Sequence, residues 1–165
     1  MRTVICPGSF DPITLGHLDI ITRSSALFDR VIVLVMTNYS KIGNYSFTSE
    51  ERIEMIKRCI SDLPNVEVDT YDGLLAEYAK QKGAVAIVKG LRAVSDFENE
   101  FQQALINKEL NNEVDTVFVT TRAENMFLSS SVVKHICSLG ADISNFVPPE
   151  VCEDITKRIR RGVEK

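Results

Sequence analysis

Apolar positions along the chain follow two alternating patterns. Short β-branched runs occupy residues 3–6, 31–37, 66–68, 84–88 and 114–120, and longer stretches between them have helical spacing. Ile32 to Val35 and Ala86 to Val88 are apolar at every position. Such runs predict strands covered on both faces, as in a parallel sheet sandwiched between helices.

The helical stretches carry start signals. Thr14 can cap a helix that begins near Leu15. Thr48-Ser49-Glu50-Glu51 reads as a capping box ahead of Ile53, Ile56, Ile60 and Leu63, which share one face. Ser95-Asp96-Phe97-Glu98 reads as a second box, with the stripe Phe97, Phe101, Ala104 and Leu105 following. Ser129 predicts the start of a helix that runs through Leu139 and stops at Gly140. Pro148-Pro149 opens a last helix with Val151, Ile155 and Ile159 inward. Strands alternating with helices imply βαβ units. The expected fold is a Rossmann-like α/β domain over residues 1–165: a doubly wound parallel five-stranded sheet, helices on both faces, and a C-terminal helix. In such sheets ligands bind at the carboxyl ends of the strands, where the strand order reverses.

Composition narrows the function classes. A length of 165 residues suits one domain with a full-sized core. A net charge of −4 argues against a general nucleic-acid binder but leaves room for a local cation cluster. The run Lys157-Arg158-Ile159-Arg160-Arg161 is read as complementing the dipole of the last helix. No apolar stretch approaches the ~20 residues needed to span a bilayer, and no signal-peptide pattern follows Met1. A cytoplasmic protein without a membrane partner is expected. The four cysteines show no CxxC pair and no zinc-ligand spacing, which predicts free thiols in a reducing compartment, with Cys6 buried and inert.

Candidate chemistry begins in "CPGSFDPITLGH", residues 6–17. Gly8 permits close backbone approach, and Pro7 and Pro12 stiffen the turn. Gly16 and His17 fall in the first turn of the next helix, where N–H groups and the dipole favour an anion. Spacing alone supports a preformed phosphate turn and a structural turn with a surface histidine equally. Three further stretches weigh toward the phosphate reading. "VKGLR", residues 88–92, places two cations around a glycine at a strand end. "LSSSVVK", residues 128–134, offers three serines at a helix start, where capping needs one. Lys41 follows the second strand. A Walker A loop and a GxGxxG fingerprint are both missing, so a phosphate site here is of another type.

These motifs resemble the nucleotidyltransferases with an (H/T)xGH signature, here Thr14-Leu15-Gly16-His17. More narrowly, "PGSFDPITLGH", Lys41, "FTSEER", "KGLRAVSDFENEF" and "LSSSVVK" are similar, in order and spacing, to the bacterial phosphopantetheine adenylyltransferases. The resemblance implies transfer of an adenylyl group from ATP to 4′-phosphopantetheine, with Mg²⁺ arriving with ATP, in a homohexamer. It implies ATP contacts from Ser9, Phe10, His17, Gly90, Leu91, Arg92 and Glu100, and from Asn125, Met126, Phe127, Leu128, Ser129, Ser130 and Ser131. It implies acceptor contacts from Ser9, Lys41, Leu74, Leu75, Lys89 and Asn107, and catalytic roles for His17, Lys41 and Arg92. No metal-ligating residues are implied. Lys89 stands where some members have arginine, and the loop "IGNYS" after Lys41 departs from some members. Other acceptors or nucleotides within the superfamily, and a non-catalytic nucleotide-binding regulator, are the competing readings. Retention of His17, Lys41 and Arg92 speaks against the regulator.

Overall fold

The structure is a computed structural model that describes residues 1–37, 43–92 and 94–163. Five strands, β1 (Thr3–Gly8), β2 (Arg30–Met36), β3 (Val66–Tyr71), β4 (Ala86–Leu91) and β5 (Asp115–Thr120), form one parallel sheet in the order β3-β2-β1-β4-β5. The helices are α1 (Leu15–Leu27), α2 (Ser49–Cys59), α3 (Leu75–Lys82), α4 (Val94–Leu110), α5 (Ser130–Ser138) and α6 (Pro149–Val163), with a 3₁₀ turn at Ala123–Asn125. The order reverses between β1 and β4. β1 stays paired with β2 through Gly8 but pairs with β4 only at Val4 and Ile5. The two central strands therefore part toward their carboxyl ends, and a crevice opens there.

Strand alternation sorts the core into two faces. Val33 and Val35 pack with Ile21 of α1, Met55 and Ile56 of α2, Val133 of α5 and Val151 and Ile155 of α6. On the other face Ile5, Ile32, Leu34 and Ile87 pack with Tyr78 and Ala79 of α3. The continuous apolar runs of β2 and β4 are explained by this double coverage.

One helix has no counterpart in the sequence reading, and two local readings change. α3 has no start signal, because its N-cap is Leu74, which makes no side-chain cap bond; burial of Ala76, Tyr78 and Ala79 and the left-handed Gly83 (φ 60°) define it instead. α4 is already running at Val94, so Ser95 lies inside its first turn rather than ahead of it. The α4 stripe does not enter the core: Phe97, Phe101 and Leu105 are 41%, 46% and 56% exposed. By contrast Thr48 and Glu51 form a reciprocal capping box, and Ser129 caps α5 through the Val132 N–H. The basic run of α6 reaches beyond its own helix. Arg158 pairs with Glu51 and donates to Ser46 O, and Arg160 donates to the carbonyls of Gly140 and Ala141.

Candidate active site

The turn after β1 is held open by packing and buried charge. Phe10 adopts φ 46°, the left-handed region, and is buried at 4% exposure. Gly8 does not carry the unusual dihedral. A Cβ there would lie 3.0 Å from the Phe10 ring, so glycine is needed for the ring to fold back. Asp11 is buried; it accepts from the N–H groups of Ser46 (3.1 Å) and Phe47 (3.0 Å) and from Lys134 Nζ (2.6 Å). Ser130 Oγ donates to Pro12 O at 2.8 Å. The turn is thus bonded to the start of α5 and to the segment ahead of α2.

The same turn sets the histidine. Thr14 caps α1, accepting from the His17 N–H at 3.4 Å, while the Thr14 N–H donates to His17 Nδ1 at 3.1 Å. His17 takes the place that glutamate or glutamine occupies in an ordinary capping box. With Nδ1 accepting, the ring proton resides on Nε2. The Phe10 ring meets the imidazole edge-on at 5.1 Å. The histidine is thus a structural cap that also lines the crevice, with its tautomer set by the Thr14 N–H.

The crevice is a cleft of about 820 Å³, within the range of small-ligand sites. Its floor is the end of β1 with Ser9, Phe10 and His17. One wall is the end of β4 with Lys89, Gly90 and Arg92, and another is Asn125, Leu128 and the three serines at the start of α5. A long arm runs between α3 and α4, lined by Leu74, Leu75, Glu100 and Asn107.

The sequence profile of the Cytidylyltransferase-like family matches residues 5–136, the span that builds this cleft. The chain is 52% identical over 162 residues to the phosphopantetheine adenylyltransferase of Caldanaerobacter subterraneus subsp. tengcongensis, covering 98% of this chain and 100% of that protein. It is 53% identical to that of Clostridium kluyveri over 98% of both chains. The chain belongs to the phosphopantetheine adenylyltransferase family. A more distant fold neighbour is a bifunctional NMN adenylyltransferase/ADP ribose pyrophosphatase from Francisella tularensis, solved with AMP and a manganese ion. It has TM-score 0.64 and 18% identity over 99% of this chain and 52% of that one, and shows the fold alone.

Within this family member the expected residues largely converge on the cleft. Leu91, Met126 and Phe127 do not line it; Met126 and Phe127 are 50% and 59% exposed, and the Phe127 ring packs on Phe146. Lys41 lies outside the described residues. Both described cations are held by α4. Lys89 Nζ lies 3.1 Å from Glu100 Oε2, off the direction of a hydrogen bond, so that buried oxygen is ion-paired only. Arg92 grips Asp96 through Nε (2.9 Å) and Nη2 (3.3 Å), and donates from Nη1 to Leu128 O at 2.7 Å. Asp96 and Glu100 sit one helical turn apart and pair with both cations.

Asp96, Asp11 and Lys134 were not singled out by sequence, although each sits inside a quoted motif. Only Arg92…Asp96 has a local spacing that could have disclosed it. Cys6 is buried, its thiol lies 3.7 Å from Ser24 Oγ, and burial pushes its pKa up to about 11, so it is a poor nucleophile at neutral pH.

Proposed function

We propose that the cleft performs the family reaction: the 4′-phosphate of 4′-phosphopantetheine attacks the α-phosphorus of ATP, and dephospho-coenzyme A and pyrophosphate form, a step of coenzyme A synthesis. The observation that carries this reading is the cleft at the β1/β4 reversal, lined by His17, Lys89 and Arg92, in a chain half-identical over its full length to enzymes named for the reaction. The acceptor is a phosphate monoester with a second pKa of about 6, mostly a dianion at neutral pH. It needs no general base. One P–O bond forms to the acceptor as the bond to the β-phosphate bridge breaks, and the electron pair leaves with pyrophosphate. Catalysis is then positioning and charge stabilisation, without a covalent enzyme intermediate.

His17 Nε2–H serves as a donor to the α-phosphate, assisted by the first N–H groups of α1. Arg92 and the α5 start receive the β- and γ-phosphates. Lys89 and Lys41 hold the acceptor phosphate, and the arm at Leu74, Leu75 and Asn107 takes its pantetheine chain. Lys89 and Arg92 exchange Glu100 and Asp96 for phosphate oxygens when substrates enter, which leaves Glu100 available to the nucleotide. Mg²⁺ is proposed to arrive with the substrate, as MgATP with its waters.

Pyrophosphate release tests the reading directly. ATP with 4′-phosphopantetheine should support turnover, whereas CTP, or nicotinamide mononucleotide as acceptor, should not. Preference for either of the latter would move the chain to another branch of the superfamily, and binding of ATP without turnover would make it a regulator.

If Lys89 holds the acceptor phosphate, Lys89→Gln should raise the acceptor KM by about 10- to 100-fold, the equivalent of a charge-assisted hydrogen bond of ~1.5–3 kcal/mol. The ATP KM should move less, and Lys89→Arg should stay active. Steady-state kinetics varying each substrate decide it, and an unchanged acceptor KM removes Lys89 from the site.

The assembly is proposed as a homohexamer. The apolar α4 face supports burial against another copy, because Phe97, Phe101, Leu105 and Leu110 are each more than two-fifths exposed. Light scattering at micromolar protein should give the mass of six chains, and a monomer would contradict it. No helix of the described residues is long and apolar enough to cross a membrane, which is compatible with the proposed cytoplasmic location.

A further inference from the structure

Arg52 of α2 is one of the least exposed charged groups described, at 2% exposure, and it lies outside the cleft lining. Its partners are neutral. Nη1 donates to Ser9 O at 2.6 Å, Nη2 to Ser49 Oγ at 3.0 Å and Nε to Thr48 O at 3.3 Å, while the guanidinium covers the Tyr45 ring at 4.4 Å. No ion pair joins it to a carboxylate among the described residues. A buried guanidinium held by neutral acceptors is costly, even with Glu50 near enough to feel its charge, and calls for a compensating role.

The Ser9–Phe10 peptide supplies that role. In a trans peptide the C=O and N–H point in opposite directions. Arg52 holds the carbonyl edge. The Phe10 N–H, on the other edge, makes no hydrogen bond to the described residues although Phe10 is 4% exposed. Ser9 and Phe10 both line the cleft, and Phe10 sits in the left-handed region, a conformation that persists only where its surroundings impose it. A charged donor on a carbonyl also polarises its amide and strengthens the N–H as a donor.

We infer that Arg52 is a positioning residue for the nucleotide: it fixes and polarises the Ser9–Phe10 peptide so that the Phe10 N–H meets a phosphate oxygen. This rests on the reading of the cleft as the ATP site.

The test uses the full chain with Arg52→Met and Arg52→Lys. In Arg52→Met, kcat/KM for ATP should fall roughly 10- to 100-fold, the size of one charge-assisted contact, while the acceptor KM stays within about threefold. Arg52→Lys keeps the charge but loses the planar fork, and should recover part of the loss. A folded Arg52→Met variant with ATP kcat/KM within twofold of wild type, or with both substrates weakened equally, overturns the inference.

Amide spectra cover the case in which Arg52→Met does not fold. Inorganic pyrophosphate should shift the Phe10 amide of ¹⁵N-labelled wild type, and shift it less in Arg52→Lys. A Phe10 amide unmoved at saturating pyrophosphate in wild type, or moved equally in Arg52→Lys, overturns the inference. If wild type shows that response but no turnover of ATP, the assigned reaction falls while the role of Arg52 stands.

Discussion

Replacing His17 with alanine should lower kcat by about 10²- to 10³-fold while ATP affinity stays within a few-fold, since one preorganised transition-state donor is typically worth ~3–4 kcal/mol. The reason lies in the cap. The Thr14 N–H occupies Nδ1, so the backbone holds the ring in place and leaves its proton on Nε2. Ground-state phosphates have other donors in the serine-started helix and the cations of β4. Charge that develops at the α-phosphorus needs a donor placed there, and alanine removes it. The helix itself should survive, because the other half of the capping box, the His17 N–H to Thr14 Oγ1, is made by the backbone and persists in the variant. Steady-state kinetics with calorimetric ATP binding would separate the two effects. Activity within a few-fold of wild type, or a loss carried entirely by ATP binding, would refute the assigned role.

Asp11→Ala should be the most destabilising single change at the site, by about 3–5 kcal/mol, the cost of removing one partner from a buried charge pair. The carboxylate is 4% exposed and Lys134 24%. Its loss strands the ammonium and the N–H groups of Ser46 and Phe47 in one stroke. For a chain of this length the loss corresponds to a Tm drop of roughly 10 °C. Asp11→Asn should cost less, because an amide oxygen still accepts. Lys134→Met should also destabilise, by leaving the buried carboxylate without its cation. Thermal and denaturant unfolding would measure all three, and an Asp11→Ala loss under about 1 kcal/mol would show that the pair contributes little.

The sequence by itself determined the architecture and pointed to where a ligand would sit. Apolar runs of five to seven residues mark β4 and β2 because a strand buried on both faces has no polar side to show. Thr14, Thr48 and Ser129 announce helix starts because a capping oxygen acts within three residues of itself. Hence His17 and the α5 serines could be placed at helix starts beside the strand ends before any coordinates. Where local chemistry is silent, so was the sequence. α3 has no capping side chain, and α4 begins ahead of the serine that mimics a cap. Only the tertiary structure decided that Lys89 and Arg92 rest on Glu100 and Asp96, and that Phe10 rather than Gly8 takes the unusual dihedral. It alone joined Asp11 to Lys134, which are 123 residues apart, and Ser9 to Arg52, 43 apart. Periodicity and caps report interactions closed within a turn or two of backbone. Buried charges find their partners only when the sheet has brought distant loops together, and no spacing along the chain encodes that meeting.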